Sequence, residues 1–368
     1  MLKTPNFQKE KIFTKMYISK NKRILKFSES INEALFLSMK KNSNILLMGL
    51  GIDDPKAIFS TTLNLNKFFP KRVFDMPTSE NSMTGFAIGL AISGKRPIIT
   101  HQRVEFSLLS IDQIVNQAAK WLYMNAGQKP VPLVIRLIIG RGWGQGPQHS
   151  QSLEAIFSHI PGLKVVCPSD AFSAKGLLIS SIEDNNPVIF FEHRWLHNTK
   201  SEVPKKYYKI KIGKSRYITR GKDITIITFS YMVIEAIKIA KILKDNKIEA
   251  EVIDLQSLRP LDKSIFLKSA KKTKKILVID NGWTNYGVSA EIMAIISENM
   301  KHKIYSINRI GVANTPIPST EALSKFSYPN KNTIIKTVEK ILKKKIKIKK
   351  TSDIDNYNQP DKNFMGPF

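Results

Sequence analysis

The sequence predicts an α/β protein of two domains, each a mostly parallel sheet covered by helices. Three observations carry this prediction. At 368 residues the chain is too long for one compact core, so at least two domains are expected. From about residue 44 to 345, short apolar runs of β-forming residues alternate with helix-period segments. The runs are apolar at consecutive positions, as strands covered on both faces are.

Expected strands span 44–50, 97–100, 132–139, 164–166 and 188–192, with helices over 84–93, 107–126 and 171–183 between them. The second helix is the clearest, because Leu108, Ile111, Val115, Ala119 and Leu122 recur at spacings of three and four and build one apolar face. Residues 197–222 are polar and basic, contain Pro204 and Gly213, and resemble a linker. A second series follows: strand 224–229, helix 233–244, strands 251–255 and 275–279, helix 289–300, strand 303–307 and a last helix over 332–345. The expected organisation is a basic extension (1–24), a first domain (25–200), a linker (201–216), a second domain (217–345) and a tail (346–368). Neither an internal repeat nor a low-complexity tract interrupts it.

Composition excludes several classes. A hydrophobic fraction of 42% and a charged fraction of 24% are those of a soluble globular protein. No apolar run approaches the roughly 18 residues that a membrane-spanning helix needs. A single cysteine, Cys167, rules out a disulfide scaffold and fits a reducing compartment. The N-terminal segment carries Glu10 and Glu29 and lacks the apolar core of a signal peptide, so a bacterial cytoplasm is expected rather than a mitochondrial or plastid matrix. The net charge of +28 admits nucleic-acid binding, since clustered Lys and Arg neutralise phosphates. Lysine is however spread along the chain beside many Ile and Asn residues, and the one dense block, Lys343 to Lys350, follows a helix. Neither nucleic acid nor membrane is expected as a partner, and a basic nucleic-acid-binding protein is the remote alternative. The tail ends on Phe364, Met365 and Phe368, either a frayed end or a segment docked in a groove.

The chain contains no P-loop, no dinucleotide glycine fingerprint and no HExxH, and six scattered histidines do not make a zinc site. What remains are glutamate, histidine and glycine positions at strand ends, where open α/β sheets keep their sites. Glu80 precedes a small-residue helix in which Gly85 and Gly89 stand four apart, a spacing that lets another backbone approach. Taken alone, Glu80 is a capping carboxylate near a helix N-terminus. His149 follows the glycine-rich loop Gly140-Arg141-Gly142-Trp143-Gly144-Gln145-Gly146-Pro147. It is either a surface histidine or a proton donor and acceptor near neutral pH.

Five ordered blocks now identify a resemblance. They are Arg72-Val73-Phe74-Asp75-x-Pro77-x-Ser79-Glu80, Ser110-Ile111-Asp112-Gln113-x-x-Asn116-x-Ala118-Ala119-Lys120, Gln148-His149-Ser150-Gln151, Pro161-Gly162-Leu163-Lys164-Val165-Val166 and Asp184-Asn185-Asn186-Pro187-Val188. Over residues 25–345 the chain resembles the beta subunits of pyruvate and branched-chain 2-oxo acid dehydrogenases, within the transketolase superfamily. The run 252–262 looks like the family's C-terminal domain. The resemblance implies a pyrimidine-binding domain and a transketolase C-terminal-like domain that share thiamine diphosphate with a second subunit.

It further implies roles. Glu80 would hydrogen-bond N1′ of the cofactor's aminopyrimidine ring, which needs a carboxyl able to share a proton. His149 would help handle the substrate carbonyl. Phe106 matches the aromatic that stacks on the pyrimidine, and Gln102 and Leu109 stand where residues line that pocket, with altered chemistry. Arg141 and His101 are candidates for substrate contact. Related subunits bind K⁺ through oxygens near Leu133, Ser181, Asp184 and Asn186, with a helix-end turn held by Asp184 as the plain alternative.

Two departures matter. The segment His101-Gln102-Arg103-Val104-Glu105-Phe106 replaces the usual acidic-aromatic one, which removes the ordinary substrate assignment. The Gly-Asp-Gly…Asn motif that holds the diphosphate through Mg²⁺ is absent, and Asp280-Asn281-Gly282 does not replace it. The expectation is therefore a half-site that is inactive alone and completed by an alpha subunit carrying that motif, in an α2β2 heterotetramer. The activity expected is oxidative decarboxylation of a 2-oxo acid with transfer to a lipoyl acyltransferase. The alternative is a split transketolase-like or decarboxylase enzyme of specialised carbohydrate metabolism with no lipoyl partner.

Overall fold

The computed structural model describes residues 23–54, 56–300 and 303–348. The basic extension before residue 23 and the apolar tail after residue 348 lie outside the described residues.

Two mostly parallel sheets dominate. The first has seven strands in the order β12-β6-β7-β5-β4-β2-β3. These are β2 (Ile45–Gly49), β3 (Val73–Asp75), β4 (Arg96–His101), β5 (Val134–Ile139), β6 (Lys164–Val166), β7 (Val188–His193) and β12 (Ser257–Arg259). The second has five, in the order β14-β13-β10-β11-β9: β9 (Arg216–Thr219), β10 (Ile224–Thr228), β11 (Ala250–Asp254), β13 (Lys275–Trp283) and β14 (Ser306–Val312). A two-stranded antiparallel pair, β1 (Ile24–Lys26) with β8 (Lys200–Glu202), closes the entry and exit of the first unit.

Alternation along each strand feeds two apolar layers. Leu47, Ile98 and Val134 point into one and Met48, Ile99 and Ile135 into the other. The first layer receives α1 (Phe27–Lys41), α6 (Ala171–Glu183), α7 (Met232–Asp245) and α11 (Lys331–Leu342). The second receives α3 (Glu80–Ile92), α5 (Glu154–His159), α8 (Lys263–Thr273) and α9 (Val288–Met300). The short helices α2 (Leu65–Phe68), α4 (Ala119–Met124) and α10 (Glu321–Ser324) complete the set. Both layers run through both sheets, and β12 leaves the second unit to pair antiparallel with β6 of the first.

The interior holds charge as well. β5 is buried along its whole length, yet it carries Arg136. The guanidinium donates to both oxygens of Glu192 on β7 and to the hydroxyls of Thr61 and Thr100, which satisfies a cation that could not otherwise stand there.

Several elements differ from expectation. The helix expected over 107–126 is a 3₁₀ segment (Val104–Ser110), a π-type turn (Gln113–Ala118) and α4. Its buried face is Ile114, Ala118 and Ala119, while Leu108 is solvent-facing. Residues 201–216 are packed rather than loose: Tyr208 stacks on Phe172 at 4.9 Å and Tyr207 donates to Glu183. Gly85 meets only Gln113 and Gly89 faces open space, so among the described residues no backbone uses the glycine face of α3.

Candidate functional site

Parallel strands put their C-terminal ends on one edge of the sheet, and the site collects there. β2, β4 and β7 end at Gly49, His101 and His193, and α3 begins at Glu80 just after β3. Leu50, Glu80, Met83, His101, Gln102 and Phe106 line one cleft with about 280 Å³ of empty space, partly open to solvent. Four of the sequence-predicted residues, Glu80, His101, Gln102 and Phe106, therefore meet although they lie on three separate segments.

Local contacts explain how. Gln102 Nε2 donates to the carbonyl of Leu50 at 2.7 Å. Gly51 has φ +67°, and a Cβ there would lie 2.6 Å from that nitrogen, so only glycine leaves Gln102 its place. His101 is buried, burial lowers its pKa to about 4, and its Nε2 has no hydrogen-bond partner. It is a neutral imidazole that lines the same cleft as Glu80.

His149 reaches the same neighbourhood from the loop after β5. Its ring meets that of Phe106 edge to face, with centroids 5.7 Å apart, and its Nδ1 is buried without a hydrogen-bond partner. Gly140 allows the loop to fold over itself, because a Cβ there would stand 2.7 Å from the carbonyl oxygen of His149. Glu105 Oε1 accepts from the backbone N–H of Gln151 at 2.9 Å and ties this loop to the Phe106 segment. Burial raises the pKa of Glu105.

Leu109 and Arg141 fall elsewhere. Leu109 is 64% exposed on the 3₁₀ segment and is not among the residues lining the cleft. Arg141 is buried between the two units, where it donates to the carbonyl of Pro329 at 3.0 Å and lies 4.4 Å from the Tyr328 ring centroid. It lines a second cleft with His193, Asn281 and Trp283 and holds the two units together. At the proposed cation position, the carbonyl of Leu133 accepts from Val188 N and that of Ser181 from Asp184 N. Asp184 accepts from the backbone and side chain of Asn186 and pairs with Lys164, while Arg96 donates to the carbonyls of Ile182 and Asp184. These contacts make a helix-end turn around Asp184. Among the described residues no group of three His, Cys, Asp or Glu side chains could hold a metal ion.

With the geometry in place, comparison with known proteins decides the family. Residues 24–199 match the transketolase pyrimidine-binding domain and residues 213–334 the transketolase C-terminal domain. The chain is 36% identical over 332 residues to the beta subunit of acetoin:2,6-dichlorophenolindophenol oxidoreductase of Cupriavidus necator, covering 87% of this chain and 98% of that one. The chain belongs to the transketolase-like beta subunits of the 2-oxo acid dehydrogenases.

Other members of this beta-subunit family agree. The pyruvate dehydrogenase E1 beta subunit of Rickettsia felis is 35% identical, covering 85% of this chain and 97% of its own length. Among solved structures, a split-gene transketolase described as an inactive beta4 tetramer matches with a TM-score of 0.69 at 23% identity, over 86% of this chain and 98% of that one. A Pichia stipitis transketolase matches with a TM-score of 0.61 at 16% identity, over 89% of this chain and 47% of that one. These two show the shared fold. Thiamine diphosphate dependence is the family's property. The beta-subunit fold thus places Glu80 and Phe106 in a single cleft, open on one side.

The sequence reading missed Glu105, Glu154 and Asn281. Glu154 is fully buried, accepts from Asn281 Nδ2 at 2.9 Å, and is pushed up to about 7 by burial. Nothing in their spacing marks them, since α5 and β13 meet only in the folded chain.

Proposed function

We propose that this chain forms the pyrimidine-side half of a thiamine diphosphate site in a 2-oxo acid dehydrogenase or decarboxylase. The observation that carries the reading is the convergence of Glu80 and Phe106 in one small, open cleft. The donor set fits the aminopyrimidine: a carboxyl, an aromatic face and, in His101 Nε2, a buried polar atom with no partner.

Thiamine diphosphate, when bound, supplies a carbanion nucleophile. The protein's part is positioning and proton handling. Glu80 shares a proton with N1′ of the pyrimidine, and Phe106 presents a ring face that fixes its plane. Gln102 holds Leu50, the opposite wall. His149, kept against Phe106, holds or releases a proton at the substrate carbonyl oxygen.

The other half of the site comes from an alpha subunit with the Gly-Asp-Gly…Asn motif and its Mg²⁺, in an α2β2 heterotetramer. Support comes from exposed apolar side chains on α3 and α4: Phe86 is 59%, Tyr123 89% and Met124 58% exposed, and the glycine face of α3 is open. A lipoyl group on an acyltransferase is the acceptor in this reading. A split transketolase-like enzyme is the second reading, favoured by the His101-Gln102-Arg103 segment at the cleft wall. Decarboxylation assays on the co-expressed pair, with a lipoyl domain or a sugar aldehyde as acceptor, separate the two. Acyl transfer to the lipoyl domain supports the first, and ketol transfer to the aldehyde the second.

A further inference from the structure

Two arginines on the C-terminal edge of the first sheet each bury one guanidinium nitrogen that has no hydrogen-bond partner. Arg103, just after β4, is 7% exposed, and Arg194 directly follows β7. Arg103 Nη1 and Arg194 Nε are buried and have no hydrogen-bond partner. Both guanidinium groups face one ring, 5.6 and 4.3 Å from the centroid of Phe59.

Neighbouring charges neutralise the pair only in part. Arg136 already consumes both oxygens of Glu192. His197, 3.4 Å from Glu192, is held below its ordinary pKa by burial and adds no positive charge at neutral pH. Glu105 attracts Arg103, and its Oε1 also accepts from Gln151 N. Burial, and then Arg103, lower the pKa of Arg194 to about 10. Two partly buried cations that repel each other are costly when one carboxylate is shared between them and a backbone donor.

We propose that Arg103 and Arg194 form a binding site for a phosphoryl dianion. The chemistry matches on two counts. Two guanidinium groups offer a dianion its charge partners. The Phe59 ring occupies guanidinium faces, which leaves the in-plane N–H donors for tetrahedral oxygens. Arg103 stands one residue beyond Gln102, which lines the Glu80 cleft.

The test is calorimetric titration of the purified full chain with inorganic phosphate at pH 7.5 and fixed ionic strength, with acetate as the monoanion control. Arg103→Gln and Arg194→Gln run alongside, with folding checked by circular dichroism. Saturable phosphate binding is expected, at least tenfold weaker in each variant, and at least tenfold weaker for acetate. The Arg194→Lys variant, which keeps the charge and loses the fork, should fall between. Removing an unpaired cation should leave the melting temperature unchanged or higher. No saturable phosphate binding, acetate binding as tight as phosphate, or phosphate binding undiminished in both Gln variants overturns the proposal. The last result would assign phosphate to the basic surface. No thiamine diphosphate takes part, so the outcome is independent of the cofactor reading.

Discussion

Phe106 and His149 meet edge to face with ring centroids 5.7 Å apart, and this contact joins the wall of the Glu80 cleft to the glycine-rich loop. Next to it, Glu105 accepts from Gln151 N, so two contacts hold the loop in register. Glu105→Ala should release the loop. Steady-state kinetics on the assembled enzyme should show kcat reduced about tenfold with KM little changed, a loss of roughly 1–2 kcal/mol, the size of one hydrogen bond to a buried acceptor. Glu105→Gln keeps an acceptor oxygen and should retain most activity. Equal kinetics for the alanine variant and wild type would remove the loop from the mechanism.

The interface between the two units should weaken as pH rises from about 4.5 to about 7. Burial raises Glu154 from 4.5 to about 7, and it also raises Asp280. The folded state thus holds a proton that the unfolded chain releases. This contribution to stability is complete below pH 4.5 and lost as pH rises through 7, by about 3 kcal/mol at most. Urea unfolding between pH 5 and 9 should show Glu154→Gln with a flatter profile than wild type. Parallel profiles would contradict the assignment.

Arg136 is the other buried dependency. Arg136→Met strands Glu192 without its bidentate partner, and unfolding free energy should fall by about 3–5 kcal/mol. The double variant with Glu192→Met should recover much of that loss. A single-variant loss under about 1 kcal/mol would show the pair to be dispensable.

Much of the fold was legible because burial leaves a pattern. The strand runs at 132–139 and 188–192 became β5 and β7; Glu80 and Phe106 line one cleft, and His149 meets Phe106. Other signals were present and passed over: Phe27, Ile31, Ala34, Leu35 and Ser38 recur at helical spacing and bury one side of α1. Tertiary pairings could not be read locally. β12 is three residues long and is a strand only because β6 lies beside it. Leu108 and Leu109 looked like core or pocket residues by chemistry, yet they face outward, since apolarity does not say whether a residue's cover belongs to its own chain. Arg141 followed a strand end, as ligand-binding residues do, but the second unit claimed it.

The central claim is that Glu80 anchors half of a thiamine diphosphate site. Its most direct test is calorimetric titration of thiamine diphosphate with Mg²⁺ into this chain co-expressed with a Gly-Asp-Gly-bearing alpha subunit, into this chain alone, and into the Glu80→Gln pair. Tight binding by the pair, none by the chain alone, and decarboxylation reduced at least a hundredfold in an assembled Glu80→Gln pair are predicted. A pair that binds no cofactor, or a Glu80→Gln enzyme that turns over normally, would contradict the account.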